Sequence, residues 1–193
     1  MLSRYMQLPY SLCAGVMLVN RRGLVCVGQR PPECSMVASA GSWQMPQGDM
    51  APDEPVREAS LRVLAEALSL RKVQVLAEAP GWFTCELPAE LIGVALQGQY
   101  CGQKQKWLAA RLLGEDDEFS IGARDDSRAW KWVPAADVPR LAPPLLQELY
   151  GDVIATFAPL LPAAGPPPSG GRPPEPVKAQ PAAVLPWFVT LFG

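Results

Sequence analysis

Apolar and polar positions sort the first 160 residues into short strands and two helices. Leu12 to Asn20 (LCAGVMLVN) and Gly23 to Arg30 (GLVCVGQR) are apolar runs of strand length. Asn20-Arg21-Arg22-Gly23 between them is a turn signal, so the pair reads as a hairpin. Pro31 to Ser42 is a polar loop, and Trp43 to Pro46 a short strand followed by a turn at Gln47-Gly48. A helix enters near Asp53, which can cap free N–H groups, with Pro55 in the first turn; it runs unbroken to Leu70. Leu61, Leu64 and Leu68 make its apolar stripe, while Glu58, Arg62 and Glu66 follow one another at i, i+4 and i+8.

Lys72 to Glu78 and Gly81 to Leu87 read as strands parted by Ala79-Pro80, and Pro88 to Gly98 as a loop with a short helical turn. Lys104 to Leu113 is a strand, Gly114 to Arg128 a charged loop, Ala129 to Val133 a strand, and Leu145 to Leu160 a second amphipathic helix. The pattern predicts an α/β domain over residues 1–161, a mixed sheet between helices. Composition then changes. Pro162 to Ala182 holds eight prolines and little that could be buried, which predicts a disordered, extended tether. Ala183 to Gly193 (AVLPWFVTLFG) is apolar, too short to span a bilayer, and a candidate for contact with a partner or a surface.

A formal net charge of −2 gives no global attraction to nucleic acid or anionic membrane. Five cysteines without a CxxC pair, and no signal-peptide pattern, suit a reducing cytoplasm better than a disulfide framework. The chain has no histidine. That excludes Ser-His-Asp and Cys-His catalysis and His-ligated zinc, and leaves oxygen ligands suited to Mg²⁺, Mn²⁺ or Ca²⁺.

Gly48, then Glu54 after five residues, then Arg62 after seven, then Leu64, Glu66 and Leu70 resemble the box of the Nudix hydrolase superfamily. Val63, Ala67 and Ser69 depart from it: they stand where the box has its first metal-binding Glu, its last one and its helix-ending Gly. Trp43-Gln44-Met45-Pro46-Gln47-Gly48, Gly102-Gln103-Lys104-Gln105-Lys106-Trp107 and Trp130-Lys131-Trp132-Val133 are similar to the bacterial RNA 5′-pyrophosphohydrolase, or dinucleoside polyphosphate hydrolase, subfamily. The resemblance implies the Nudix α/β/α sandwich and Mg²⁺-dependent cleavage of nucleoside-diphosphate-linked pyrophosphates, including RNA 5′-triphosphates.

On this reading Glu54, Arg62 and Glu66 are the catalytic candidates. Gln47, Gly48, Gln103, Gln105 and Lys106 are the substrate-binding ones. Glu66 and Asp126 are the candidate ligands of a weakly bound Mg²⁺ or Mn²⁺, because one of three box glutamates remains and Asp126 lies where the family has a Glu. Strand alternation puts Gln103 and Gln105 on one face and Lys104 and Lys106 on the other. Other expected cations are missing as well: the family's Tyr-Arg-Pro reads Tyr10-Ser11-Leu12, and its Pro-Phe-Lys-Arg reads Pro144-Leu145-Leu146-Gln147. Three readings follow: a pyrophosphohydrolase of weakened activity, a pseudoenzyme that binds nucleotide, an RNA 5′ end or a protein without turnover, or an interaction protein whose working part is the C-terminal tail.

Overall fold

The computed structural model describes residues 8–29, 42–116, 129–161 and 177–178. Nine strands form one sheet: β1 (Tyr10–Val19), β2 (Val25–Gln29), β3 (Trp43–Gln44), β4 (Gln47–Asp49), β5 (Val73–Glu78), β6 (Phe83–Glu86), β7 (Gly102–Leu112), β8 (Ala129–Val133) and β9 (Val177–Lys178). The main path runs β5-β7-β1-β2-β8-β9, with β3 on β2, β4 on β1 and β6 on β7. β1 and β7 are parallel over ten residue pairs, from Tyr10 beside Gly102 to Val19 beside Arg111; all other pairings are antiparallel. The expected mixed sheet is present.

Two helices cover its faces, and strand alternation decides what each meets. Val16, Leu18, Leu108, Ala110 and Leu112 point to one side and pack with Leu64, Ala67 and Leu68 of α1 (Val56–Leu68), together with Trp130 and Trp132. Met17, Val19, Trp107 and Ala109 point to the other and meet Leu146, Leu149, Tyr150, Val153 and Phe157 of α3 (Pro144–Phe157). A short α2 (Val138–Leu141) precedes α3, its Pro139 in the first turn where a missing N–H costs nothing. Trp130 and Trp132 are therefore core residues, 3 and 7 % exposed.

Three local expectations change. Gln47 and Gly48 do not turn: they lie in β4, paired with Gly15 and Ala14, because Pro46 already accepts a hydrogen bond from Val16 N–H and extends the chain along β1. The turn comes later, where Glu54 N–H bonds the Ala51 carbonyl. Asp53 does not cap α1. Pro55 holds the cap position with an extended backbone and no side-chain cap bond. The helix ends at Ser69, which stands in the left-handed region at φ 54° and donates its N–H to the Leu64 carbonyl. Of the segment expected to be a tether, Val177–Lys178 pairs with β8; the rest of it, the apolar C-terminus and the loop residues 117–128 lie outside the described residues.

Candidate active site

Two buried hydrogen-bond relays occupy the α3-facing side of β4, β1 and β7. The first starts at the Trp107 indole N–H, which donates to Gln105 Oε1 at 3.1 Å; Gln105 Nε2 then donates to Gln103 Oε1 at 3.2 Å. The second starts at the Met45 backbone N–H, which donates to the Tyr150 hydroxyl at 3.2 Å; that hydroxyl donates to Gln47 Oε1 at 3.2 Å. Trp107 and Tyr150 join the two, ring against ring at 5.6 Å and nearly perpendicular. Gly15 makes room for the indole, since a Cβ there would sit 2.6 Å from its ring.

The direction of the first relay is fixed at its origin: an indole N–H can only donate, so Gln105 and Gln103 present their oxygens inward and pass a donor onward. In the second, the Tyr150 hydroxyl accepts from Met45 N–H and donates its own proton to Gln47 Oε1. Each relay accordingly ends in an amide NH₂, on Gln103 and on Gln47. Both nitrogens are buried with no hydrogen-bond partner. Ser11 Oγ, on the strand residue that pairs with Gln103, is in the same state. A buried donor without an acceptor costs about 1–3 kcal/mol, a cost that an oxygen of a ligand or of water placed there recovers. On the other side of Gln103 lies Cys85, whose Sγ bonds the Leu145 carbonyl at 3.7 Å and ties the row to the start of α3. Burial pushes the Cys85 thiol up to about 11, and the more deeply buried Cys13 thiol up as well, so neither is a thiolate nucleophile at neutral pH.

A second constellation joins β4 to α1. Arg62 donates from Nε to Glu54 Oε1 at 2.9 Å and from one terminal nitrogen to Glu54 Oε2 and the Asp49 carbonyl, both at 2.8 Å. Its other terminal nitrogen lies 3.5 Å from Glu66 Oε2. Glu54 also accepts from Ala51 N–H. Hydrogen bonding from Arg62 holds the Glu54 carboxyl below its ordinary range and raises Arg62 in turn. The clasp fixes the loop between β4 and α1 against the helix.

The structure thus brings Glu54, Arg62 and Glu66 together, and places Gln47, Gln103 and Gln105 on one side of the sheet with Gly48 beside Gln47 in β4. It does not bring Lys106 to them: that side chain leaves from the opposite face and lies over Trp82. Asp126 lies outside the described residues. Among the described residues no group of three or more His, Cys, Asp or Glu side chains could hold a metal ion. Val63 and Ala67, at the missing glutamates, are 2 and 4 % exposed, so the described residues do not fit a multi-carboxylate cation site. Sequence reasoning missed Ser11, Trp107 and Tyr150. The first shares its face with Gln103 by strand register, whereas the contact of Tyr150 with Gln47 spans 103 residues and carries no local signal.

Residues 9–157 match the sequence pattern of the NUDIX domain. Over 163 residues the chain is 39 % identical to an RNA pyrophosphohydrolase of Rhodopseudomonas palustris (strain HaA2), covering 82 % of this chain and 98 % of that protein. Over 164 residues it is 41 % identical to an RNA pyrophosphohydrolase of Nitrobacter winogradskyi, covering 82 % and 96 %. The fold is similar to the C. elegans Ap4A hydrolase (TM-score 0.54, 17 % identity, 77 % of this chain and 98 % of that one). It is similar also to the E. coli dihydroneopterin triphosphate pyrophosphohydrolase (TM-score 0.56, 14 % identity, 76 % and 98 %). With its mixed sheet between helices, its Gly48-Glu54-Arg62-Glu66 frame and relatives of this identity over most of its length, the chain belongs to the Nudix family, in the RNA pyrophosphohydrolase-like subfamily.

Proposed function

We propose that this chain binds the 5′-polyphosphate end of a nucleotide or RNA against β4, β1 and β7 and cleaves its pyrophosphate linkage at a reduced rate. The observation that carries the reading is the pair of relays ending in unpartnered amide donors on Gln47 and Gln103. Phosphate oxygens, ribose hydroxyls and base carbonyls are all acceptors, and a ligand oxygen there recovers the cost of a buried orphan donor. The Arg62–Glu54 clasp holds β4, and with it Gln47, in place. Nudix hydrolases generally use divalent ions such as Mg²⁺. In this chain Glu66 is the one of the three metal-binding box glutamates that remains, already facing Arg62, so the reduced rate follows from the chemistry of the donor set.

The burial of Val63 and Ala67 favours a second reading, in which the site binds nucleotide without turnover. Assays on 5′-triphosphorylated RNA and diadenosine polyphosphates, with Mg²⁺ and with Mn²⁺, separate the two. Metal-dependent release above the protein-free background, with Gln103→Ala raising KM at least about tenfold, supports the hydrolase. Binding at a rate equal to background supports the non-hydrolysing module. Neither binding nor turnover overturns both.

A further inference from the structure

The face of β1, β7 and β6 opposite the relays carries its own constellation. Strand register sets Tyr10, Gly102 and Glu86 in one row across the three strands, and Leu12, Lys104 and Thr84 in the next. Lys106 shares this face two residues beyond Lys104, about 6.6 Å along the strand. Each lysine is held at an aromatic ring: Lys104 Nζ is 5.3 Å from the Tyr10 ring centroid, and Lys106 Nζ is 5.4 Å from that of Trp82. Trp82 stands just before β6 and is 46 % exposed. Gly102 keeps the row low, since a Cβ there would lie 3.1 Å from the Tyr10 ring. Among the described residues neither lysine has an ion-pair partner, and Glu86, the carboxylate of these rows, is engaged by the Tyr10 hydroxyl at 3.0 Å. β6 pairs only with β7, so this face and the relay face meet along its outer edge.

Two lysines leaving the strand about 6.6 Å apart, beside an exposed indole, match what a single-stranded nucleic acid offers: a charged backbone and base faces that stack. A protein partner would want a contiguous apolar surface, whereas of the exposed large apolar side chains among the described residues only Trp82 lies against one of these lysines. We propose that this face binds the single-stranded nucleotides behind the 5′ end of an RNA, with phosphates on Lys104 and Lys106 and a base stacked on Trp82. The proposal rests on the RNA-end reading above and adds where the body of the RNA lies.

The test is fluorescence anisotropy on the full chain with a labelled single-stranded oligoribonucleotide of about 12 nucleotides bearing a 5′-hydroxyl, over a salt series. The slope of log K against log salt is expected to fall by about 0.7 for Lys104→Ala and about 1.4 when Lys106→Ala is added. Trp82→Ala weakens binding about tenfold, and melting curves of each variant report whether it is folded. ATP binding by the wild-type protein tests the relay face separately, so that reading can fail while this one holds, and the reverse. An unchanged slope in the double variant, no binding by the wild type, or equal affinity for an RNA duplex or for poly-glutamate, which would mark a general anion or protein surface, overturns the proposal.

Discussion

Arg62 bonds Glu54 through two nitrogens, takes the Asp49 carbonyl as well and faces Glu66, so a single side chain secures the turn between β4 and α1. Solvent reaches about a third of it, which lowers the expected loss for Arg62→Ala to about 1–2 kcal/mol in urea denaturation. The Glu54 carboxyl titrates below its ordinary value in the folded protein, so its contribution is fully present above the unfolded value and fades as pH falls through the folded one. The stability gap between wild type and Glu54→Gln should therefore be full at neutral pH and shrink once pH drops below about 4.5. Equal gaps at both ends would remove the ion pair as its cause. Ser69 makes a cleaner case. A serine at φ 54° bears a left-handed strain that glycine does not, so Ser69→Gly should raise stability by about 0.5–1 kcal/mol, some 1–4 °C in Tm. The box frame exposed this position in the sequence, since Ser69 falls where the pattern wants Gly. The failure of Asp53 to cap was not legible, because it depended on where Pro55 and the Arg62 clasp set the first turn.

At the scale of elements, α1 serves two faces that conflict. Its sheet side must be apolar to cover Val16, Leu18 and Leu108, while the family pattern wants carboxylates at 63 and 67. In this chain the apolar demand has taken position 67, where Ala67 sits in the cluster with Leu64, Trp130 and Trp132, and Val63 is buried as well. Ala67→Glu should consequently destabilise by about 3 kcal/mol or more in metal-free buffer, through a carboxylate desolvated in the apolar cluster. Thermal melting of Ala67→Glu, alone and with Val63→Glu, checks it. A Tm near wild type would show that both side chains turn outward, where paired carboxylates could serve a cation. The helices and most strands were legible because periods of two and 3.6 mark them directly. Trp43 to Pro46 reads as a short strand and holds β3, but the three-residue β4 and the four-residue α2 were not legible, being shorter than a period can show.

The whole molecule is organised about the parallel pair β1–β7, and the same strands give their two faces different tasks: relays toward α3 on one, and on the other the core under α1 with the lysines and rings nearer the strand starts. Sequence alternation announced that Gln103 and Lys104 part company. It could not announce that Tyr150, more than a hundred residues from Gln47, would complete a relay, because only tertiary packing of α3 brings them together. Packing also makes Gly15 indispensable. Gly15→Ala would drive a methyl into the Trp107 indole, at an expected cost of about 1–3 kcal/mol by denaturation, together with a weaker KM if Gln105 and Gln103 shift with the ring.

Metal response is the property that joins all of these surfaces. Of the three metal-binding glutamates of the box the described residues keep only Glu66, and that one faces an arginine, so the free protein should hold Mg²⁺ with a dissociation constant of about a millimolar or weaker. Stabilisation by a ligand is RT ln(1 + [L]/Kd); at a concentration equal to that constant it is about 0.4 kcal/mol, or a Tm shift of roughly 1–2 °C for a domain of this size. Differential scanning fluorimetry with EDTA, then with millimolar Mg²⁺, then with Mg²⁺ and ATP, measures it. A negligible shift with Mg²⁺ alone and a larger one with both is expected, since ligand oxygens would then complete what Glu66 cannot. A shift of many degrees with Mg²⁺ alone would mean that further carboxylates join Glu66, with Asp126 the first to replace by Asn.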